Sequence, residues 1–163
     1  MQLPSKAEIA AFARERREEV ISTQPFRVRR VARWSECDPA GVVYVGNFAE
    51  YMLSAVHLFR RQVFDASWAE MREQFHIDTP GKALSMVFKG SLWPDDVFDV
   101  DVRVGEVRTR TFDFETVARR ALDGTDVFEG KLTAICVSAL NRRISIPIPD
   151  LLRHRLQATR SPI

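Results

Sequence analysis

The sequence predicts an α+β fold in which one long helix lies against an antiparallel sheet. Three observations carry that prediction. Following Asn47, the apolar residues Phe48, Tyr51, Met52, Ala55, Phe59 and Val63 recur at helical spacing, with Glu50, Ser54, His57, Arg60 and Arg61 filling the other side. Further on the period falls to two: Leu84, Met86, Phe88, Gly90 and Leu92 alternate with Ser85, Val87, Lys89 and Ser91, and then Phe98, Val100, Val102 and Val104 alternate with Asp99, Asp101 and Arg103. Short turn-forming stretches, Trp93-Pro94-Asp95-Asp96 and Leu122-Asp123-Gly124-Thr125, separate the later runs, as hairpin connections do.

The remaining elements follow in order. From Pro4 to about Ser22 helix formers dominate, and Ala7, Ile9, Ala10, Phe12 and Ala13 precede the charged run Arg14 to Glu19, which predicts a helix docked by one face. Phe26 to Trp34 is basic, β-branched and aromatic, and reads as a first strand ending in the turn formers Asp38-Pro39-Ala40-Gly41. Asn47 is read as the N-cap of the long helix, and a shorter helix is expected around Ser67 to Phe75 before Asp78-Thr79-Pro80-Gly81 breaks the chain. Strands are expected at Thr111 to Val117, along the apolar run Val127 to Leu140, and at Ile144 to Ile148, with a short basic helix at the C-terminus. The prediction is a sheet of about five strands with the long helix on one face. Residues 1–24 form an N-terminal helical extension and residues 25–163 a single domain.

Bulk properties exclude several classes. A chain of 163 residues, 45% hydrophobic and 28% charged, is globular and large enough for its own core. No apolar run approaches the roughly 18 residues of a membrane span, and the opening Met-Gln-Leu-Pro-Ser-Lys lacks the features of a secretory signal. A cytoplasmic protein without a membrane partner is expected. Cys37 and Cys136 fall in no redox or metal spacing, and three scattered histidines complete no ligand cluster, so neither a disulfide nor a metal is expected. A formal charge of +2 argues against nucleic acid, while 24 Lys and Arg leave room for a local patch that grips one phosphorylated ligand.

The most informative stretch is the loop between the first strand and the long helix. It leads to a helix N-terminus, where free backbone N–H groups and the helix dipole favour negative charge. Asp38 lies just upstream, so a carboxylate and backbone donors can converge on one carbonyl, as acyl transfer requires. The same residues also read as a plain turn, with Asp38 bonding its own backbone and Gly41 supplying a positive φ.

Glu36-Cys37-Asp38-Pro39-Ala40-Gly41-Val42-Val43-Tyr44, followed by Asn47-Phe48, resembles the signature of 4-hydroxybenzoyl-CoA thioesterase and its hotdog-fold relatives. The likeness continues more weakly through Thr79-Pro80, Asp95-Asp96-Val97 and Glu106 to Phe112, and spans roughly Phe26 to Pro149. It implies a hotdog fold, a long helix wrapped by a curved sheet, and hydrolysis of an acyl-CoA. It also implies that Asp38 attacks the thioester carbonyl or activates water while the backbone N–H of Val45 polarises that carbonyl. Some relatives carry His where Val45 stands, and the absence of His points to the aromatic-acyl branch, although that branch has Pro where this chain has Gly46. Another branch uses a helix glutamate as nucleophile or base, which makes Glu50 a candidate; the alternative is that Glu50 complements the helix dipole.

Arg108 and Arg110 match residues that hold the nucleotide end of CoA in similar enzymes, and Arg142 or Arg143 joins them from the last turn, since phosphates suit guanidinium forks. A solvated basic edge is the alternative. Tyr44 and Trp34 flank the loop and are candidates to wall an acyl pocket, whereas His57, His76, His154 and Cys37 are read as structural or exposed. The resemblance implies a homo-oligomer, a dimer or homotetramer, with no cofactor beyond the CoA of the substrate. A hydratase is disfavoured because the loop holds no His. The competing reading is a non-catalytic ligand binder, either an inactive hotdog or a cone-shaped α+β protein.

Overall fold

The chain, described over residues 2–160 by a computed structural model, opens with α1 (Lys6–Glu15). The outer ends of the two expected spans, residue 1 and residues 161–163, lie outside the described residues. Ser5 caps α1 reciprocally: its hydroxyl accepts from the Glu8 amide and the Glu8 carboxylate accepts from the Ser5 amide. The helix does not reach Ser22 as expected. Its last residues give way to β1 (Glu18–Thr23), because the β-branched run there finds an antiparallel partner in β2 (Phe26–Val31), with Glu18 opposite Arg30 and Thr23 opposite Phe26.

The first expected strand is shorter than its composition suggests. β2 ends at Val31, and Trp34–Glu36 forms a single 3₁₀ turn. Next comes α2 (Val45–Phe64), which starts earlier than an Asn47 cap would place it. Tyr44 occupies the N-cap with φ −61° and ψ 134°, while the Asn47 side-chain amide donates to the Glu36 carbonyl at 2.6 Å and so ties the first helical turn to the preceding loop. This start moves Glu50 into the second turn, where the dipole effect has largely faded. The buried face of α2 is Phe48, Tyr51, Met52, Ala55, Val56, Phe59, Val63 and Phe64, close to the expected stripe. Each large apolar side chain on it contributes about 1.5–3 kcal/mol by burial.

α3 (Trp68–Phe75) follows, capped by Ser67 and Glu70, and leads into the short β3 (Ile77–Asp78). The strands β4 (Gly81–Phe88), β5 (Val97–Val107), β6 (Thr111–Arg120) and β7 (Asp126–Ile135) complete the main sheet in the order β1-β2-β5-β6-β7-β4, every pair antiparallel. β8 (Val137–Ser138) pairs with β3 and forms one further antiparallel bridge, Val137 to Ser145, and α4 (Asp150–Ala158) closes the described chain. Ile144 to Ile148 is not a strand. Pro147 and Pro149 lack ladder donors, and the segment is held by Ile146 N–H to the Cys136 carbonyl and Ile148 N–H to the Thr109 carbonyl.

α2 covers one face of the sheet, against Phe26, Val28, Phe98, Phe114 and Phe128. α1 sits on the other, where Ile9, Phe12 and Ala13 meet Val31, Val97 and Ala121. That outer face also carries directly opposed ion pairs between β2 and β5: Arg27 grips Asp101 at 2.5 and 2.7 Å and Arg29 grips Asp99 at 2.7 and 2.8 Å. β4 is different. Its outer edge has no strand neighbour among the described residues, and Leu84 and Phe88 stay 45% and 49% exposed, so the expected strand forms and pairs with β7 but is not half-buried within one chain. No described helix is long and apolar enough to cross a membrane.

Candidate active site

Asp38 sits in a tight hairpin that delivers the chain into α2. The Asp38 carbonyl accepts from the Gly41 amide at 2.9 Å, the Asp38 amide donates to the Val42 carbonyl at 2.8 Å, and Cys37 bridges Val43. Gly41 takes the left-handed φ of 82° that closes this turn. One carboxylate oxygen of Asp38 accepts from the Ala40 amide at 2.8 Å, which orients the side chain and leaves the second oxygen available. The plain-turn and catalytic readings of this segment are therefore compatible: the turn is what holds the carboxylate.

Val43 is tied to the Leu92 carbonyl and Tyr44 to the Glu36 carbonyl, so α2 begins where the hairpin returns. As the first residue of α2, Val45 has no preceding turn to accept its N–H; it is exposed, and among the described residues its amide makes no hydrogen bond within the chain. The Tyr44 ring covers Gly46, where an added Cβ would lie 2.8 Å from Cε1, so glycine permits this close approach beside the Val45 amide.

Glu36 holds the assembly, a role that sequence reasoning did not assign. Only 9% exposed, its carboxylate accepts from the Arg33 amide at 2.7 Å, the Tyr51 hydroxyl at 2.8 Å, and the Arg30 and Arg17 guanidiniums at 3.3 Å. Burial alone pushes the Glu36 carboxyl up, but the hydrogen bonds from Arg33, Tyr51 and Arg30 outweigh it and leave it below the ordinary glutamate range. The same contact, added to burial, pushes the Tyr51 phenol far up, so it stays protonated and donating. The available signal was an acid within the motif that follows an arginine-rich strand.

Other expected site residues fall in two places. Trp34 and Tyr44, 74% and 56% exposed, lie beside the hairpin. Arg108, Arg110, Arg142 and Arg143 gather at the opposite end of the sheet, separated from Asp38 by the length of β5, 11 residues, or about 35 Å. There Arg108 pairs with Asp113 at 3.0 Å and with Glu106 at 2.5 Å, Arg110 donates to Ser145 at 3.0 Å, and Arg142 pairs with Asp78 at 3.0 Å. Arg143 is exposed and its guanidinium has no partner among the described residues. Cys37 packs on the core and its thiol donates to the Arg33 carbonyl at 3.4 Å; burial, with Glu36 and Asp38 nearby, pushes it up, away from reactivity. No cluster of His, Cys, Asp or Glu suited to a metal occurs among the described residues.

A long central helix wrapped by a six-stranded antiparallel sheet, entered through a tight hairpin, defines the class, a hotdog-fold protein. Solved structures agree on the fold. The 1,4-dihydroxy-2-naphthoyl-CoA thioesterase from Synechocystis superposes with a TM-score of 0.73 at 18% identity, covering 84% of this chain and 98% of that one. The 4-hydroxybenzoyl-CoA thioesterase from Pseudomonas sp. strain CBS-3 gives 0.71 at 18% identity, covering 85% and 99%. A Staphylococcus aureus protein solved in complex with CoA gives 0.74 at 13% identity, covering 90% and 89%. Comparison with curated proteins finds no match. Residues 32–156 match the thioesterase-like superfamily, and the chain belongs to it. That membership places it among thioester hydrolases.

Proposed function

We propose that this protein hydrolyses acyl-CoA thioesters, with an aromatic acyl group preferred, using Asp38 as nucleophile or general base against a carbonyl held by the Val45 amide. The observation that carries the reading is the return of the Asp38 hairpin directly into a helix whose first amide is unspent. In the general-base route, the Asp38 carboxylate removes a proton from water as the water oxygen bonds to the carbonyl carbon. The displaced electron pair rests on the carbonyl oxygen, which accepts from Val45 N–H. Collapse of the tetrahedral species breaks the C–S bond, and the thiolate takes the proton back. In the nucleophilic route the carboxylate oxygen itself bonds to the carbonyl carbon, CoA thiolate leaves, and water then cleaves the anhydride.

The aromatic preference draws on Trp34, Tyr44 and Trp93 exposed at this end of the molecule, on the lack of His at Val45, and on two structural neighbours named for aromatic acyl-CoA substrates. The test is thiol release from benzoyl-CoA and 4-hydroxybenzoyl-CoA against hexanoyl-CoA. Faster aromatic turnover is expected; faster aliphatic turnover would overturn the preference, and no turnover of any ester the activity.

Val45→Pro isolates the oxyanion contribution. Proline is tolerated at the first helical position, and Tyr44 already holds the extended φ and ψ that a following proline demands. The substitution therefore removes the N–H with little cost to α2, and kcat is expected to fall about 10²–10³-fold. Unchanged kcat with native helicity would remove this amide from the mechanism.

The working unit in this reading is a homodimer, or a tetramer of two such pairs, built by pairing β4 with β4 of a second copy. An unpaired eight-residue edge with exposed Leu84 and Phe88 is a surface that soluble proteins cover. Antiparallel pairing about the middle of β4 brings the arginine end of one chain to the Asp38 end of its partner, which gives Arg108, Arg110, Arg142 and Arg143 their role on the CoA phosphates. Leu84→Glu is expected to yield monomers in sedimentation and to lose activity with them. A native chain that sediments as a monomer would sink the pairing.

A further inference from the structure

A groove of about 560 Å³ separates α2 from β4, walled by Leu53, Val56, Leu84 and Leu132. At its inner end stands Arg60, partly buried, its guanidinium 3.9 Å from the centre of the Trp68 ring and donating to the Thr79 carbonyl and hydroxyl. These bonds fix the fork and leave further N–H groups unspent. Among the described residues Arg60 forms no ion pair. The neighbouring carboxylate, Asp78, is occupied through one oxygen by Arg72 at 2.9 Å and Arg142 at 3.0 Å. The groove's other fixed charge, Lys82, is also positive, and His57 lines the same wall. With Asp78 nearby but engaged by two other arginines, a guanidinium held in a largely apolar groove with no direct ion pair is costly unless a ligand supplies one.

The position of the groove identifies that ligand. α2 runs antiparallel to β4: Phe48 meets Phe88 at 5.3 Å between ring centres, while Arg60 reaches Thr79 just ahead of Gly81. Pairing two copies about the middle of β4 sets Phe88 of one chain opposite the Gly81 end of the other. The N-terminus of the partner's α2, with its oxyanion amide, thus arrives over the Arg60 groove. We propose that this groove receives the acyl group bound at the partner's Asp38 and that Arg60 pairs with a carboxylate at its far end, making the substrate a carboxylated, aromatic acyl-CoA. The assignment rests on the thioesterase reading and on the β4 pairing. Burial pushes the Arg60 guanidinium down to about 10 despite Asp78, so it remains cationic at neutral pH.

The test compares meta- and para-carboxybenzoyl-CoA with benzoyl-CoA in the native enzyme, Arg60→Gln and Arg60→Lys. The better carboxylated ester is expected to lead benzoyl-CoA in kcat/KM by about 10- to 100-fold, the worth of a charge-assisted hydrogen bond. Arg60→Gln should bring that ratio near one and Arg60→Lys should keep part of it. No native preference, or a loss in Arg60→Gln that is equal for all esters, as a CoA-phosphate role would give, overturns the proposal. Calorimetry with free isophthalate, terephthalate and benzoate reads the same discrimination without turnover. If no ester is hydrolysed but the native protein alone favours a dicarboxylate, the hydrolase reading fails and the Arg60 site stands. Equal binding of all three acids overturns the site as well.

Discussion

Asp38→Asn is expected to bind acyl-CoA with near-native affinity and to lose turnover by about 10²–10⁴-fold, the span usual for removal of a positioned acid or base. The substitution tests chemistry alone because of how the residue is held. The Asn side-chain oxygen can still accept from the Ala40 amide, and the backbone bonds of Asp38 to Gly41 and Val42 involve no carboxylate. The hairpin, the start of α2 and the Val45 amide should therefore stay in place. The expected signature is a fall in kcat with little change in KM, which marks an interaction made in the transition state. Thiol release gives the rate and calorimetry with the intact ester gives the affinity. Near-native turnover would remove Asp38 from the chemistry, and loss of binding equal to loss of rate would make it a structural residue. Single turnover in isotopically labelled water detects the nucleophilic route: label left on Asp38 requires an anhydride opened at the Asp38 carbonyl, whereas direct attack by water, like opening of the anhydride at the acyl carbon, labels only the product acid.

What the sequence made legible was whatever one chain settles by period or by a long local motif. The α2 stripe and the alternation of β5 are visible because each face meets the core of its own chain, and the Asp38 turn because its bonds are local. Three features escaped for physical reasons. β1 reads as helix in the sequence because Glu18 and Glu19 favour helix, whereas its pairing with β2 depends on a partner across a turn. The α2 start lies ahead of the expected Asn47 cap because Asn47 donates to the Glu36 carbonyl, a contact that local capping preference does not contain. Arg60 looked like a solvent-facing residue between apolar positions, and only folding brings Trp68 and Thr79 around it. β4 is the converse, a strand whose alternation is correct and whose partner is absent from the single chain.

Glu36→Ala is expected to cost about 3–5 kcal/mol of stability, read from urea unfolding, because it breaks a buried ion pair and leaves Arg30 inside. Arg30 is only 5% exposed, its Nε already lacks a partner, and after the substitution Glu18 at 3.0 Å would be its remaining counter-charge. The Tyr51 hydroxyl and the Arg33 amide would lose their acceptor as well. Glu36→Gln keeps the size but removes the titrating group and replaces one acceptor oxygen with an NH2 that faces donors, so the pH-dependent part of its difference from the native protein reads the proton linkage and the constant part reads the lost acceptor. In the folded chain the Glu36 carboxyl lies below its ordinary range, and the unfolded chain therefore takes up the proton first as pH falls. The stability it contributes is fully present above roughly pH 4.3, the unfolded value, and disappears as pH falls through the lower folded value. The gap between native protein and Glu36→Gln should accordingly be constant near neutrality and narrow in acid. A gap independent of pH down to the acid transition would show that the hydrogen-bonding shape of Glu36, and not its charge, holds the hairpin against α2.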